Sequence, residues 1–143
     1  MSEFNRQNSF GWLINVVAGQ AEKELDAALK DHGLTVALWP TLMCLWEEEG
    51  VTQRQIAKKA KVESSTTTRT LDKLEKLGLV ERRADPESRR NYRIYLTDKG
   101  RDLQAVISPL PLAVNQAMLA DLSPNETEQL VSLLRKIVDK VEY

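Results

Sequence analysis

Apolar positions recur at helical spacing over the first third of the chain. From Phe10 to about Leu29 they fall at Phe10, Leu13, Val17, Ala21, Leu25 and Ala28, a single stripe along one helix. Ser9 is the expected N-cap, and Gly33 after His32 the expected stop. A second helix is expected within Thr35 to Glu49, burying Leu38, Leu42, Leu45 and Trp46. Pro40 requires that this helix either start near Trp39, with Pro40 in its first turn, or be kinked.

The pattern then changes character. Thr52, with Gln55 three residues on, forms a capping box for a short helix ending near Lys61, and Val51 can staple to Ile56. Ala57 and Ala60 are small, as a close helix–helix crossing requires. A further helix begins at Glu63 or Ser64 and runs to Gly78. Its buried stripe is Thr67, Thr70 or Leu71, Leu74 and Leu77, which leaves Ser64, Ser65, Thr68, Arg69, Asp72 and Lys73 outward and Thr66 at the margin. Leu79 to Arg83 and Tyr92 to Leu96 read as two strands, joined by a polar turn over Ala84 to Asn91 whose tip carries Arg89 and Arg90.

Thr97 caps another helix carrying Leu103, Val106, Ile107 and Leu110. Pro109 and Pro111 imply either a sharp kink or two separate helices there. A last helix starts at Ser123-Pro124-Asn125-Glu126 and continues through Leu130, Leu133, Leu134, Ile137, Val138 and Val141. The expected fold is mainly α with a small β-ribbon: a winged helix-turn-helix inside a helical frame.

Charge sharpens the picture. The net charge of the 143 residues is −1, but Thr52 to Arg101 holds 14 Lys and Arg against 7 Asp and Glu, a surplus of +7, and the remainder holds 6 against 14, or −8. A basic block in an acidic frame is the electrostatic footprint of a nucleic-acid reader, although a solvated charge-rich surface would look the same on charge alone. Composition removes other classes. One cysteine excludes an internal disulfide and fits a reducing cytoplasm, and one histidine with one cysteine leaves too few ligands for an ordinary zinc site. No apolar run is long enough to span a membrane, and the first residues, MSEFNRQNS, lack signal-peptide character. A Gly-rich phosphate loop and a Ser-His-Asp constellation are both missing, so neither an enzyme nor a cofactor is expected.

Small hydroxyls at a helix start usually mean capping. Directly after a capped short helix they instead allow close approach to a groove, where free N–H groups favour phosphate oxygens. Ser64, Ser65, Thr66, Thr68, Arg69 and Lys73 are therefore the candidate DNA contacts on this helix. Arg89 and Arg90 are those of the wing, where an arginine can enter a narrow A·T-rich minor groove. The competing reading is a winged helix that serves as a protein-interaction or assembly module without specific DNA binding.

Thr52 to Gly100 resembles the winged helix of the MarR family of bacterial transcriptional regulators, closest to SlyA-type members. The family's wing pattern is Asp-x-Arg, three residues, a branched apolar residue, one more, then Leu-Thr-x-x-Gly. Arg90, Ile94, Leu96, Thr97 and Gly100 match it, whereas Ser88 stands where the pattern has Asp. That Asp would brace the wing arginine, a role that Asp85 or Glu87 could take over. The stretch from Arg69 to Val80 is similar to the family's recognition helix leading into a strand.

The resemblance implies a repressor that binds a pseudo-palindromic promoter site as a homodimer. Residues 1–34 and 101–143 would supply dimerisation helices around a DNA-binding domain at 35–100. The apolar stripes of the outer helices, too large for one winged unit to cover, agree with pairing. It also implies release of double-stranded DNA by a phenolic or other small aromatic acid, in a pocket lined from the first, second and fifth helices. Trp12, His32, Trp39 and Met43 are the candidates there, against the simpler reading that each is a packing residue. Some family members sense oxidants through cysteine, nearer the N-terminus than Cys44, which has no Lys or Arg beside it in sequence.

Overall fold

The computed structural model describes residues 3–143, and the first two residues of the MSEFNRQNS stretch lie outside them. Helix α1 runs Phe10–Lys30. Only its last turns, through Leu25 and Leu29, reach the core, while Phe10, Leu13, Val16 and Val17 remain exposed in the single chain. Pro40 proves to lie in the first turn of α2 (Trp39–Glu47), entered from a 3₁₀ turn at Val36–Leu38. Helix α2 is therefore not kinked, because proline at N1 or N2 costs no intrahelical hydrogen bond.

The capping box forms as the sequence implies. Thr52 Oγ1 accepts from the Gln55 N–H at 3.2 Å, and Gln55 Oε1 accepts from the Thr52 N–H at 2.8 Å. It starts α3 (Gln53–Ala60), whose Ile56 and Ala57 are buried. Lys61, in the left-handed conformation at φ 54°, then turns the chain into α4 (Ser64–Lys76). Both Thr70 and Leu71 are buried, with Thr67 and Leu74, so the inner face of α4 is wider than one apolar stripe. Gly78, at φ 75°, ends the helix and lets the Leu79 N–H reach back to the Leu74 carbonyl at 3.0 Å.

The ribbon carries one more strand than the sequence suggested. Strand β1 (Val51–Thr52) pairs antiparallel with β3 (Ser88–Leu96), as does β2 (Val80–Asp85), giving the order β1-β3-β2. Two residues are too few for periodicity to reveal a strand, and β1 exists because Val51 falls opposite Ile94.

Helix α5 (Asp98–Ile107) is capped by Thr97, whose Oγ1 accepts from the Gly100 N–H at 3.1 Å. Gly100 is required by proximity, since a Cβ there would lie 2.2 Å from the Leu79 carbonyl oxygen. The two prolines produce two helices rather than one kinked helix, with α6 (Pro109–Met118) following α5 across Ser108. Helix α7 (Pro124–Val138) opens with the expected Ser123–Glu126 capping box. One core, built on Leu29, Leu42, Leu45, Ile56, Leu71, Leu74, Ile94 and Ile107, underlies the winged unit. Helices α6 and α7 contribute no buried residue to it.

Candidate nucleic-acid interface

The outer face of α4 is set by what its inner face buries. With Thr67, Thr70, Leu71 and Leu74 turned into the core, Ser64, Ser65, Thr68, Arg69 and Lys73 are exposed and Thr66 is half-buried. Two hydroxyls are used within the helix: Thr67 Oγ1 donates to the Glu63 carbonyl at 3.2 Å, and Thr68 Oγ1 to that of Ser64 at 3.1 Å. Glu63, the N-cap residue, makes no side-chain capping bond, so the first N–H groups of α4 are left open toward an anion. Gln53 Nε2 donates to Thr68 Oγ1 and ties the start of α3 to this face.

The wing differs from the sequence expectation. The turn contains only Pro86 and Glu87, and Arg89 and Arg90 belong to β3. The tip is therefore not arginine: the two arginines stand on the strand just behind it. The cause is Asp85, whose carboxylate accepts from the Glu87 N–H at 3.0 Å and closes a tight turn across the Asp85–Ser88 pair. Nor does Asp85 brace Arg90. It accepts from Arg93 Nε at 3.2 Å, while the Arg93 guanidinium also donates to the Gly50 carbonyl at 2.8 Å. Ser88 contributes only its Oγ, accepting from the Arg90 backbone N–H at 3.4 Å.

The Glu87 N–H, and after it Arg93, hold the Asp85 carboxyl below its usual range. The bracing is therefore complete above the ordinary carboxylate pKa and is lost as pH falls through the depressed value. Asp85→Asn should raise amide exchange across the wing turn at neutral pH and abolish the acid-dependent loosening that the wild type displays. Equal exchange in both proteins would mean that the carboxylate does not hold the turn.

The ribbon's other arginines are neutralised. Arg82 pairs with Asp72 at 2.8 Å and Glu75 at 3.2 Å. Arg83 pairs with Glu81 and lies over the Tyr95 ring at 4.0 Å. Beyond the ribbon, Arg101 of α5 holds Glu49 and Asp98, each at 3.0 Å. Arg82, Arg83 and Arg93 thus add structure to the wing more than free charge. Among the described residues, Arg54, Arg69, Lys73, Arg89 and Arg90 are in no ion pair.

A cleft of about 230 Å³ brings Ser64 of α4 and Arg90 of the wing together with Gln53, Arg54, Asn91 and Tyr92. Sequence reasoning missed Arg54 and Gln53. The signal was present, because Arg54 is an exposed cation in the first turn of α3.

The expected small-molecule set is only partly assembled. Trp39 and Met43 line a groove of about 500 Å³ between α1, α2 and the α5–α6 junction. Trp12 and His32 do not line it. Trp12 sits two turns nearer the start of α1, under the Arg6 guanidinium at 4.5 Å, and His32 is exposed in the turn after α1. Trp39 packs edge-on against Trp46, with centroids 5.7 Å apart, and Trp46 Nε1 donates to the Gly100 carbonyl at 2.9 Å. Cys44 is buried. Burial, and then Glu47, push its thiol above the ordinary range against the opposing pull of Lys59, which disfavours the reactive thiolate. Among the described residues, no helix is long and apolar enough to cross a membrane, and no cluster of His, Cys, Asp and Glu could hold a metal ion.

Comparison with known proteins finds a family model and several transcriptional regulators. The model of the MarR family matches residues 34–92. The transcriptional regulator SarZ of Staphylococcus epidermidis is 30% identical over 129 residues, covering 90% of this chain and 86% of its own. The crystal structure of the transcriptional regulator SlyA superposes with a TM-score of 0.81 at 28% identity, covering 88% of this chain and 89% of the other. A cysteine-to-serine mutant of MarR from Escherichia coli, complexed with operator DNA, gives 0.85 at 26% identity over 96% of this chain and 99% of its own.

Proposed function

The chain belongs to the MarR family of transcriptional regulators, DNA-binding proteins that catalyse no reaction, and on that premise we propose that it is a dimeric repressor reading a pseudo-palindromic promoter site. The observation that carries this reading is the sorting of cations. Arg82, Arg83 and Arg93 are spent on internal carboxylates, whereas Arg69, Lys73, Arg89 and Arg90 are in no ion pair among the described residues. Helix α4 enters the major groove, with Ser64, Ser65, Thr66, Thr68, Arg69 and Lys73 toward bases and phosphates. The wing lays Arg89 and Arg90 along the adjacent minor groove. Gln53 and Arg54 extend the phosphate contacts at the start of α3.

Dimerisation is supported by apolar surface that one chain leaves uncovered: Phe10, Leu13 and Val17 on α1, and Leu130, Leu133 and Ile137 on α7. Residues 1–34 and 101–143 form the frame, and residues 35–100 read DNA. Two-fold pairing sets the two α4 helices roughly 34 Å apart, one turn of DNA. A small aromatic ligand in the groove at Trp39 and Met43 releases the DNA. That groove touches both the frame, through α1 and α6, and the reading head, through Trp39 and Met43, and Trp39 packs on Trp46, which is hydrogen-bonded to the start of α5. Such a regulator works in the cytoplasm, where its DNA is.

The test is a titration of the purified protein against a labelled fragment of its own upstream region in excess nonspecific DNA. Binding that survives the competitor is the expected result. If competitor abolishes binding on that fragment and on a selected-site library alike, the specific-regulator reading fails in favour of an assembly module.

A further inference from the structure

The groove between α1, α2 and α6 carries an electrostatic signature that its apolar walls conceal. Leu25, Trp39, Met43 and Leu112 supply aromatic and aliphatic surface, and Asn115 an uncharged polar group. Among the described residues that line it, Glu22 is the one ionisable side chain, and no Lys, Arg or His joins it. Glu22 is exposed on α1 and is in no ion pair among the described residues. Glu22 also borders a neighbouring hollow with Lys23 and Asp26, neither of which lines the groove, and Asp26 Oδ1 accepts there from the Val36 N–H at 2.9 Å.

Resting on the reading that this groove takes a small aromatic ligand, we propose that the ligand is a lipophilic aromatic cation, not the aromatic acid that the family resemblance suggests. A carboxylate placed against Trp39 and Met43 would give up water and meet only the Glu22 carboxylate in return, with no cation to receive it. A cation gains twice. Its charge is attracted to the Glu22 carboxylate, and it can lie against the electron-rich face of Trp39, while its rings pack on Leu25, Leu112 and the Met43 thioether. Asn115 fits either sign and does not discriminate. Glu22 is thus the residue that determines which charge the groove accepts.

Tetraphenylphosphonium and tetraphenylborate have nearly the same size and shape and opposite charge, so their comparison isolates the sign. Calorimetric titration of each into the full-length protein, without DNA, should give binding of the phosphonium at least about fivefold tighter than the borate. Glu22→Gln should collapse that preference, and Glu22→Lys should reverse it. Because Glu22 is solvent-exposed, neither change removes a core contact. Equal or tighter binding of the borate to the wild type, or a preference unaltered in Glu22→Gln, would overturn the assignment while leaving a neutral or anionic ligand in the groove. Binding of neither ion would overturn it together with the small-ligand part of the proposed function. DNA binding, measured separately, would stand or fall on its own.

Discussion

Arg90→Ala should weaken operator binding by about tenfold or more, with the greatest loss on sites whose flanks are A·T-rich. The size of the effect follows from how the wing is built. Three arginines on this ribbon are consumed by Glu81, Asp72, Glu75 and Asp85, so their removal would alter the wing's shape before its charge. Arg90 is exposed, has no carboxylate partner among the described residues, and lies in one cleft with Ser64 and Arg54. Each dimer would lose two such cations at once. Its backbone N–H contact to Ser88 survives the substitution, so the strand itself should persist. Circular dichroism unchanged from wild type, alongside weakened binding, separates lost contact from lost fold. Unchanged affinity on A·T-flanked DNA would remove the wing from recognition.

Leu133→Asp combined with Ile137→Asp should convert the protein to monomers in light scattering and reduce operator affinity by at least about a hundredfold. Two linked half-sites gain that factor or more over one. Leu133 is 57% exposed and Ile137 38% exposed in the single chain, and no residue of α7 is buried. The winged unit's core lies elsewhere, on Leu42, Ile56, Leu71, Leu74 and Ile94, so two new charges on α7 do not enter it. What they enter is an apolar stripe that, on the proposed reading, is covered only by a second copy. A variant that stays dimeric at micromolar concentration would place the dimer contact outside α7.

The residues differ in how openly they declared their roles. The capping boxes at Thr52 and Ser123, the stop at Gly78 and the outward face of α4 were legible because each depends on neighbours three or four positions away. Pro40 and the Pro109–Pro111 pair could be narrowed to two outcomes but no further, since packing against other elements decides between them. Strand β1 was hidden because its reason lies at Ile94, more than forty positions along. The wing turn was misplaced for a related cause. A two-stranded ribbon with solvent on both sides has no apolar alternation to mark its outer end, so the ladder continues through polar Arg83 to Asn91 unannounced. Which arginines stay free was equally illegible, because Arg82 finds its partners on α4 and Arg101 finds Glu49 fifty-two positions back. In the groove, the family resemblance suggested a lining from the first, second and fifth helices but not which residues share a wall, and Trp12 and His32 fell outside it.

Salt dependence tests the central claim most directly, because groove binding through unpaired cations must release counterions. Contact with about eight phosphates per dimer predicts a slope near −7 for the logarithm of the binding constant against the logarithm of salt concentration. The measurement is fluorescence anisotropy on one operator fragment across a salt series. A slope near that value, reduced by about two in Arg90→Ala if each Arg90 neutralises a phosphate, is the expected result. A slope close to zero would contradict it, since no protein that holds DNA through Arg69, Lys73, Arg89 and Arg90 can be indifferent to salt.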